Sequence, residues 1–227
     1  MIDLHTHTVF SDGALIPAEL VRRAAWAGYR SVAITDHADH STMAWILERQ
    51  RHGLQQMAQY LDIGVHLGIE LTHVPPALIP GLVEEARDLG AELVVVHGET
   101  VAEPVAPGTN LAALEAGVDI LAHPGLMTEE EARLAAENDI ALEISTRAGH
   151  AVTNGHVVKL AEKYGVRLVI NNDAHAPADF VSADYRKRVA LGAGLSEEGY
   201  AKANANSGAI VQQMLRRLLS GGRDASI

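Results

Sequence analysis

MIDLHTHTVFSDGALIPAELVRRAAWAGYRSVAITDH, residues 1–37, sets a pattern that the rest of the chain repeats. A short apolar run, 2–5, leads into His5-Thr6-His7. The loop Phe10-Ser11-Asp12-Gly13 follows, and then an amphipathic stretch over 17–27. Pro17 suits a first helical turn, and Gly28 follows the last periodic residue. A second apolar run, 31–35, then ends in Asp36-His37. The reading is strand, helix, strand, with polar chemistry at the C-terminal end of each strand.

The same alternation continues outward. Strands are predicted at 2–5, 31–35, 64–71, 92–97, 119–123, 140–145 and 167–171. Helices are predicted at 17–27, 42–61, 77–89, 110–116, 128–137, 154–164, 177–190 and 208–219, with 220–227 as a frayed tail. Thr128 with Glu131 reads as a capping box. Strand–helix alternation implies a parallel sheet with right-handed crossovers. Seven or so such α/β units in one chain suggest a closed barrel rather than an open sheet. No linker or repeat divides the chain, so a single domain over 1–227 is expected, its core at about 1–190.

Composition sets the outer bounds. The chain has 227 residues, 48% hydrophobic and 21% charged, which fits a globular domain with a sizeable core. There is no cysteine, hence no disulfide, thiolate site or cysteine nucleophile. The N-terminus lacks a signal-peptide pattern and no apolar run reaches bilayer length, so a cytoplasmic protein without a membrane partner is expected. A net charge of −11 argues against gripping long nucleic acid through its phosphates. It leaves room for a small phosphorylated substrate, because bound metal can dominate local charge. The sequence sets no oligomeric state.

Twelve histidines are the odd count. Strand ends carry His5 and His7, then Asp36 and His37, Glu70, His97, His123, and finally Asp173 and His175. C-terminal strand ends of parallel barrels meet in one mouth. Residues two apart in extended chain point the same way, so His5 pairs with His7 and Asp173 with His175. Adjacent Asp36 and His37 diverge, so one ligates directly while the other orients or hydrogen-bonds a ligand, and Asp36 is counted among the candidate catalytic residues. Asp12 lies close enough to reach the same mouth. A lone histidine at a strand end is more often a hydrogen-bonded surface residue, and a lone carboxylate there is often a helix cap. Five strands ending in His and a sixth carrying Glu favour metal ligation. Of the rest, His52 is read as solvated, His66 as a satisfied core residue, His40 and His73 as flanking the mouth, and His156 as an early helix position.

His5-Thr6-His7-Thr8 with Ser11-Asp12-Gly13, Thr35-Asp36-His37, Gly68-Ile69-Glu70, Val96-His97, Ala122-His123-Pro124 and Asn172-Asp173-Ala174-His175 together resemble the polymerase and histidinol phosphatase (PHP) superfamily. The likeness runs from residue 1 to about 190. It implies a distorted TIM-like (βα)7 barrel with a multinuclear metal site whose ligands are His5, His7, Asp12, His37, Glu70, His97, His123, Asp173 and His175. In some relatives the position of Asp12 is His. The stretch 143–150 with 153–156 is similar to short, stand-alone histidinol-phosphatase-like members.

Nine ligands exceed the needs of one ion, so two or three divalent ions, Zn, Mn or Fe, are expected, with Glu70 as the bridging carboxylate. The expected reaction is hydrolysis of a small phosphate monoester by a hydroxide bridging the metals. Arg147 is the expected phosphate contact, since guanidinium matches phosphate oxygens; its rival reading is a surface arginine capping a helix. His150 is read as a proton donor to the leaving group or as a loop hydrogen-bonder. Three rivals stand beside this. One is an amidohydrolase, which often uses a lysine after strand four, whereas the first lysine here is Lys159. Another is a nuclease or phosphodiesterase acting on nucleotides or short oligonucleotides, against which only 4% of residues are aromatic. The third is a non-catalytic metal-binding accessory protein.

Overall fold

Runs such as Ser-Val-Ala-Ile and Leu-Val-Val-Val-His are buried on both faces, as strands covered by helices must be, so they lack polar alternation. The computed structural model describes residues 1–220; 221–227, part of the stretch read as a frayed tail, lie outside the described residues. The strands are β1 (Ile2–Asp3), β2 (Ser31–Ile34), β3 (His37–Ala38), β4 (Gly64–Leu71), β5 (Leu93–His97), β6 (Ile120–Ala122), β7 (Ala141–Ser145) and β8 (Leu168–Asn171). The helices are α1 (Pro17–Trp26), α2 (Met43–Met57), α3 (Ile79–Asp88), α4 (Thr109–Ala116), α5 (Glu129–Glu137), α6 (Asn154–Tyr164), α7 (Ala183–Gly192) and α8 (Glu197–Ser220).

All strand pairs are parallel, in the order β1-β2-β4-β5-β6-β7-β8, with β3 also on β4. Eight strands thus stand where seven are predicted. The extra one continues β2, because Ser31↔Gly64 and His37↔Glu70 keep one register along β4. The stave breaks at Thr35-Asp36, where the Asp36 side chain turns to the neighbouring loop. The barrel closes irregularly between β1 and β8. Thr6 bridges Ala174, while the Leu4 N–H donates to the side chain of Asn171 at 2.9 Å in place of a backbone carbonyl. That substitution accounts for a distorted rather than regular barrel.

The interior is narrow and filled by Leu4, Ala33, Val95, Ile120, Ala122, Ala141 and Val169. Ile210 and Met214 of α8 plug its N-terminal end. A larger apolar layer joins the outer strand faces to the helices. The helix over 208–219 is longer than expected, running Glu197–Ser220. Gly199, Asn204, Asn206, Ser207 and Gly208 weaken local propensity and hide its start, which the burial of Ala203, Ile210 and Met214 overrides. The helix predicted at 177–190 begins instead at Ala183, where the Ser182 hydroxyl accepts from the Tyr185 N–H at 3.2 Å. The capping box of Thr128 and Glu131 is present.

Candidate metal centre

The C-terminal strand ends converge as barrel geometry requires. His5 and His7 extend β1, His37 opens β3, Glu70 lies in β4, and His97 ends β5. His123 and Asp173 follow β6 and β8 in left-handed backbone conformations, with φ of 26° and 52°. Non-glycine residues rarely adopt this region, and such strain gathers at functional sites.

Glu70 and Asp173 stand at the centre. His5 Nε2 lies 3.1 Å from Glu70 Oε1 and 3.6 Å from Asp173 Oδ1. His7 Nε2 is 3.1 Å from Asp173 Oδ1, and His37 Nδ1 is 2.5 Å from Glu70 Oε2. Asp12 Oδ1 faces His175 Nε2 at 3.1 Å and His37 Nε2 at 3.4 Å. The rings of His97 and His123 are 4.4 Å apart, and those of His123 and His150 stack at 4.0 Å. Donor atoms within 4.8 Å of one another fall into overlapping groups: His7, Asp12, His37 and His175; His5, His7 and Asp173; His5, His123 and Glu143; His97, His123 and His150; and His73, His97 and Glu103.

These residues fit metal ions. His5 Nε2, both ring nitrogens of His7 and of His123, Glu70 Oε1 and Asp173 Oδ1 are buried without a hydrogen bond. Buried polar atoms are normally hydrogen-bonded, so a cluster of such atoms without hydrogen bonds, facing one another, is a set that bound cations could satisfy. The electrostatics of the protein chain alone agree. Burial favours neutral Glu70, but His5 and His37 outweigh it and hold the carboxyl well below its usual range. Burial likewise opposes charge on Asp173, yet His5 and His7 hold it well below the carboxylate norm. Burial lowers His7 to about 4. For Asp12, burial is outweighed by the hydrogen bond from His175, and its pKa falls to about 2.

The PHP domain model matches residues 3–189, most of the chain. The chain belongs to the PHP domain family. It is 52% identical over 198 residues to an uncharacterized protein of Methanocaldococcus jannaschii, covering 86% of this chain and 91% of that protein. Its fold resembles a chain of archaeal ribonuclease P bound to mature tRNA, with TM-score 0.74, 17% identity, and coverage of 96% and 93%. It also resembles histidinol phosphate phosphatase from Lactococcus lactis, solved with zinc, L-histidinol and phosphate, with TM-score 0.62, 15% identity, and coverage of 86% and 94%. At these identities the structures share the fold alone.

Within this PHP domain, the nine residues singled out as ligands lie in one mouth. Arg147 and His150 join them. Arg147 Nη1 donates to the Asp173 carbonyl at 3.0 Å, and its Nε lies 3.5 Å from Asp173 Oδ2. It is therefore no helix-capping surface arginine. His150 Nδ1 pairs with Thr100 Oγ1 at 2.8 Å, leaving Nε2 facing Asp173 Oδ2 at 3.5 Å and Glu103 Oε1 at 3.6 Å.

Asp36, read among the catalytic residues, is placed otherwise. Its carboxylate accepts from the Thr8 N–H at 2.6 Å, Thr8 Oγ1 at 2.8 Å, Ser11 Oγ at 2.8 Å and Gln50 Nε2 at 2.9 Å. With these donors around it, Asp36 positions the loop that carries Asp12 and offers no free lone pair to substrate. Two carboxylates escape the sequence reading. Glu143 in β7 accepts from His5 Nδ1 at 2.8 Å and from Asn171 Nδ2 at 2.9 Å. A lone charge inside the apolar run Ala-Leu-Glu-Ile-Ser is the signal that marks it. Glu103, in the loop after β5, lies 3.3 Å from His97 Nε2 and 3.2 Å from His73 Nε2. No local pattern distinguishes it. Together they make the site more acidic than the three carboxylates of the sequence reading suggest.

Proposed function

We propose that this PHP domain is a metal-dependent phosphoesterase that hydrolyses a small phosphate monoester. The observation that carries the proposal is the set of buried, unpartnered histidine and carboxylate atoms around Glu70 and Asp173, with Arg147 beside them. The donor set is nitrogen and oxygen only, which suits zinc, manganese or iron. Bound ions would supply Lewis-acid charge to phosphoryl oxygens and acidify water. Five carboxylates, Asp12, Glu70, Glu103, Glu143 and Asp173, set against the Arg147 guanidinium, leave the mouth near neutral with two divalent ions and positive with three. An anionic substrate therefore favours three.

The chain's own residues divide the remaining work. Arg147 is partly exposed and anchored on Asp173, so its guanidinium can take phosphate oxygens at the rim. His150 keeps Nδ1 on Thr100 and holds a proton at Nε2 within reach of the leaving oxygen. Glu143 fixes the His5 ring so that Nε2 faces the centre. A small soluble phosphate is the expected partner. The net charge of −11 opposes binding of long RNA or DNA, and among the described residues no helix is long and apolar enough to cross a membrane.

The test is metal content of the purified protein with turnover of a panel of phosphate mono- and diesters. Monoester turnover that disappears on chelation supports the proposal; exclusive diester cleavage refutes it in favour of a nuclease-like activity. Arg147→Ala should lower kcat/KM on monoesters by roughly 100-fold while metal content stays constant. Unchanged kinetics would remove Arg147 from the phosphate site.

A further inference from the structure

The opposite end of the barrel holds a second constellation. Ser31 begins β2, His66 lies in β4, and Glu92 immediately precedes β5, so neighbouring staves bring the three together. Ser31 Oγ is 2.9 Å from His66 Nε2, and His66 Nδ1 is 3.2 Å from Glu92 Oε2. All three side chains are buried. The sequence reading of His66 as a satisfied core residue accounts for its partners but not for what lies over them. Helix α8 crosses this end and leaves a cavity of about 430 Å³ lined by Ser31, His66, Glu92 and, from the helix, Val211, Gln212 and Leu215. Gly64 keeps the approach to the hydroxyl open, since a Cβ there would stand 3.1 Å from Ser31 Oγ. None of these residues belongs to the metal centre.

We propose that Ser31, His66 and Glu92 form a metal-independent nucleophilic site that hydrolyses a short-chain carboxylic ester. The order of contacts is that of an activated serine: hydroxyl to imidazole, imidazole to carboxylate. Glu92 takes the Nδ1–H and fixes the tautomer, which leaves the Nε2 lone pair for the Ser31 proton. Ser31 Oγ bonds to the ester carbonyl carbon as its proton passes to His66 Nε2. The carbonyl π electrons move onto oxygen. The tetrahedral species collapses, the bond to the alcohol oxygen breaks, and His66 returns the proton to that alcohol. Water then attacks the acyl-serine, giving its proton to His66, and Ser31 recovers it as the carboxylic acid leaves. Arg30 and Gln212 line the same cavity and are the N–H-bearing side chains there that could turn to the developing oxyanion. The apolar wall of Ile2, Val65, Val211 and Leu215 suits a short acyl chain.

A fluorophosphonate probe, applied to the full chain and followed by peptide mapping, tests this directly on the unaltered protein. Labelling at Ser31 that persists after chelation of metal is expected. His66→Gln should slow that labelling and the hydrolysis of p-nitrophenyl butyrate by roughly 100-fold or more, with Glu92→Gln intermediate. Ser31→Ala should abolish both, with folding checked by circular dichroism. An unlabelled Ser31, labelling unaffected by His66→Gln, or ester hydrolysis that vanishes with the metal would each overturn the proposal.

Discussion

Replacing Glu143 by Gln probes how the barrel holds its central histidine. Glu143 and His5 are fully buried, and the single oxygen Oε2 receives both His5 Nδ1 at 2.8 Å and Asn171 Nδ2 at 2.9 Å. The other oxygen, Oε1, has no hydrogen bond. A glutamine that places its carbonyl where Oε2 stands keeps both bonds, loses the charge and puts its amide N–H groups at the Oε1 position. Hydrogen bonds to charged groups contribute about 1.5–3 kcal/mol against about 0.5–1.5 kcal/mol for neutral ones. The loss on the His5 side is then about 1–1.5 kcal/mol, or roughly tenfold in affinity. This falls at the low end of the roughly 10–100-fold range for partners that orient metal ligands. Metal titration of the apo-protein against a competing chelator measures it, with stoichiometry read separately by elemental analysis. Weaker binding at unchanged stoichiometry is expected. Loss of one ion per chain would make Glu143 a direct ligand together with His5 and His123, and unchanged affinity would refute the orienting role.

His123→Ala should reduce metal stoichiometry and abolish turnover; full metal retention would refute ligation by His123. Gly98→Ala should destabilise the protein by about 1–3 kcal/mol in urea melts, because the new Cβ would lie 2.3 Å from the Ala122 carbonyl oxygen and 2.8 Å from Pro124 Cα. The shift would also disturb the neighbouring His97 and His123, so a stable Gly98→Ala protein with full metal affinity would contradict the packing described. Metal affinity should rise with pH across the neutral range. Burial lowers the His5 pKa, but Glu143 and then Glu70 and Asp173 more than reverse this, placing it well above the ordinary value. The metal-free protein therefore keeps the His5 proton, and a binding ion must displace it. The sign for stability is opposite: the raised pKa stabilises the apo-protein below the unfolded histidine value and this contribution is lost as pH rises through the folded one. Calorimetry in buffers of different ionisation enthalpy should show proton release on metal binding, and binding without proton release would refute the ordering.

The alternation of buried runs and amphipathic stretches is written locally, and so is the placing of His5, His37, His97 and His123 at the C-terminal ends of the predicted strands or just past them. Strand and helix periods follow from neighbouring residues, and a parallel barrel brings its C-terminal strand ends together whatever the loops contain. The sequence by itself therefore determined the barrel and the mouth, while the nine candidate ligands came with the resemblance to the PHP superfamily. Other features depend on distances that no local pattern encodes. Asp36 and His37 are neighbours in the chain, and only the path of the loop from Thr8 to Ser11 decided that Asp36 holds that loop while His37 faces Glu70. Glu103 enters the site from an irregular loop. Helix α8 begins well before its apolar pattern does, because burial against the barrel outweighs weak propensity. Ser31, His66 and Glu92 are separated by long stretches of chain, and only the pairing of β2 with β4, with Glu92 just before β5, brought their side chains into contact. A hydrogen bond is decided within a few tenths of an ångström, and only the packed tertiary structure sets positions that finely.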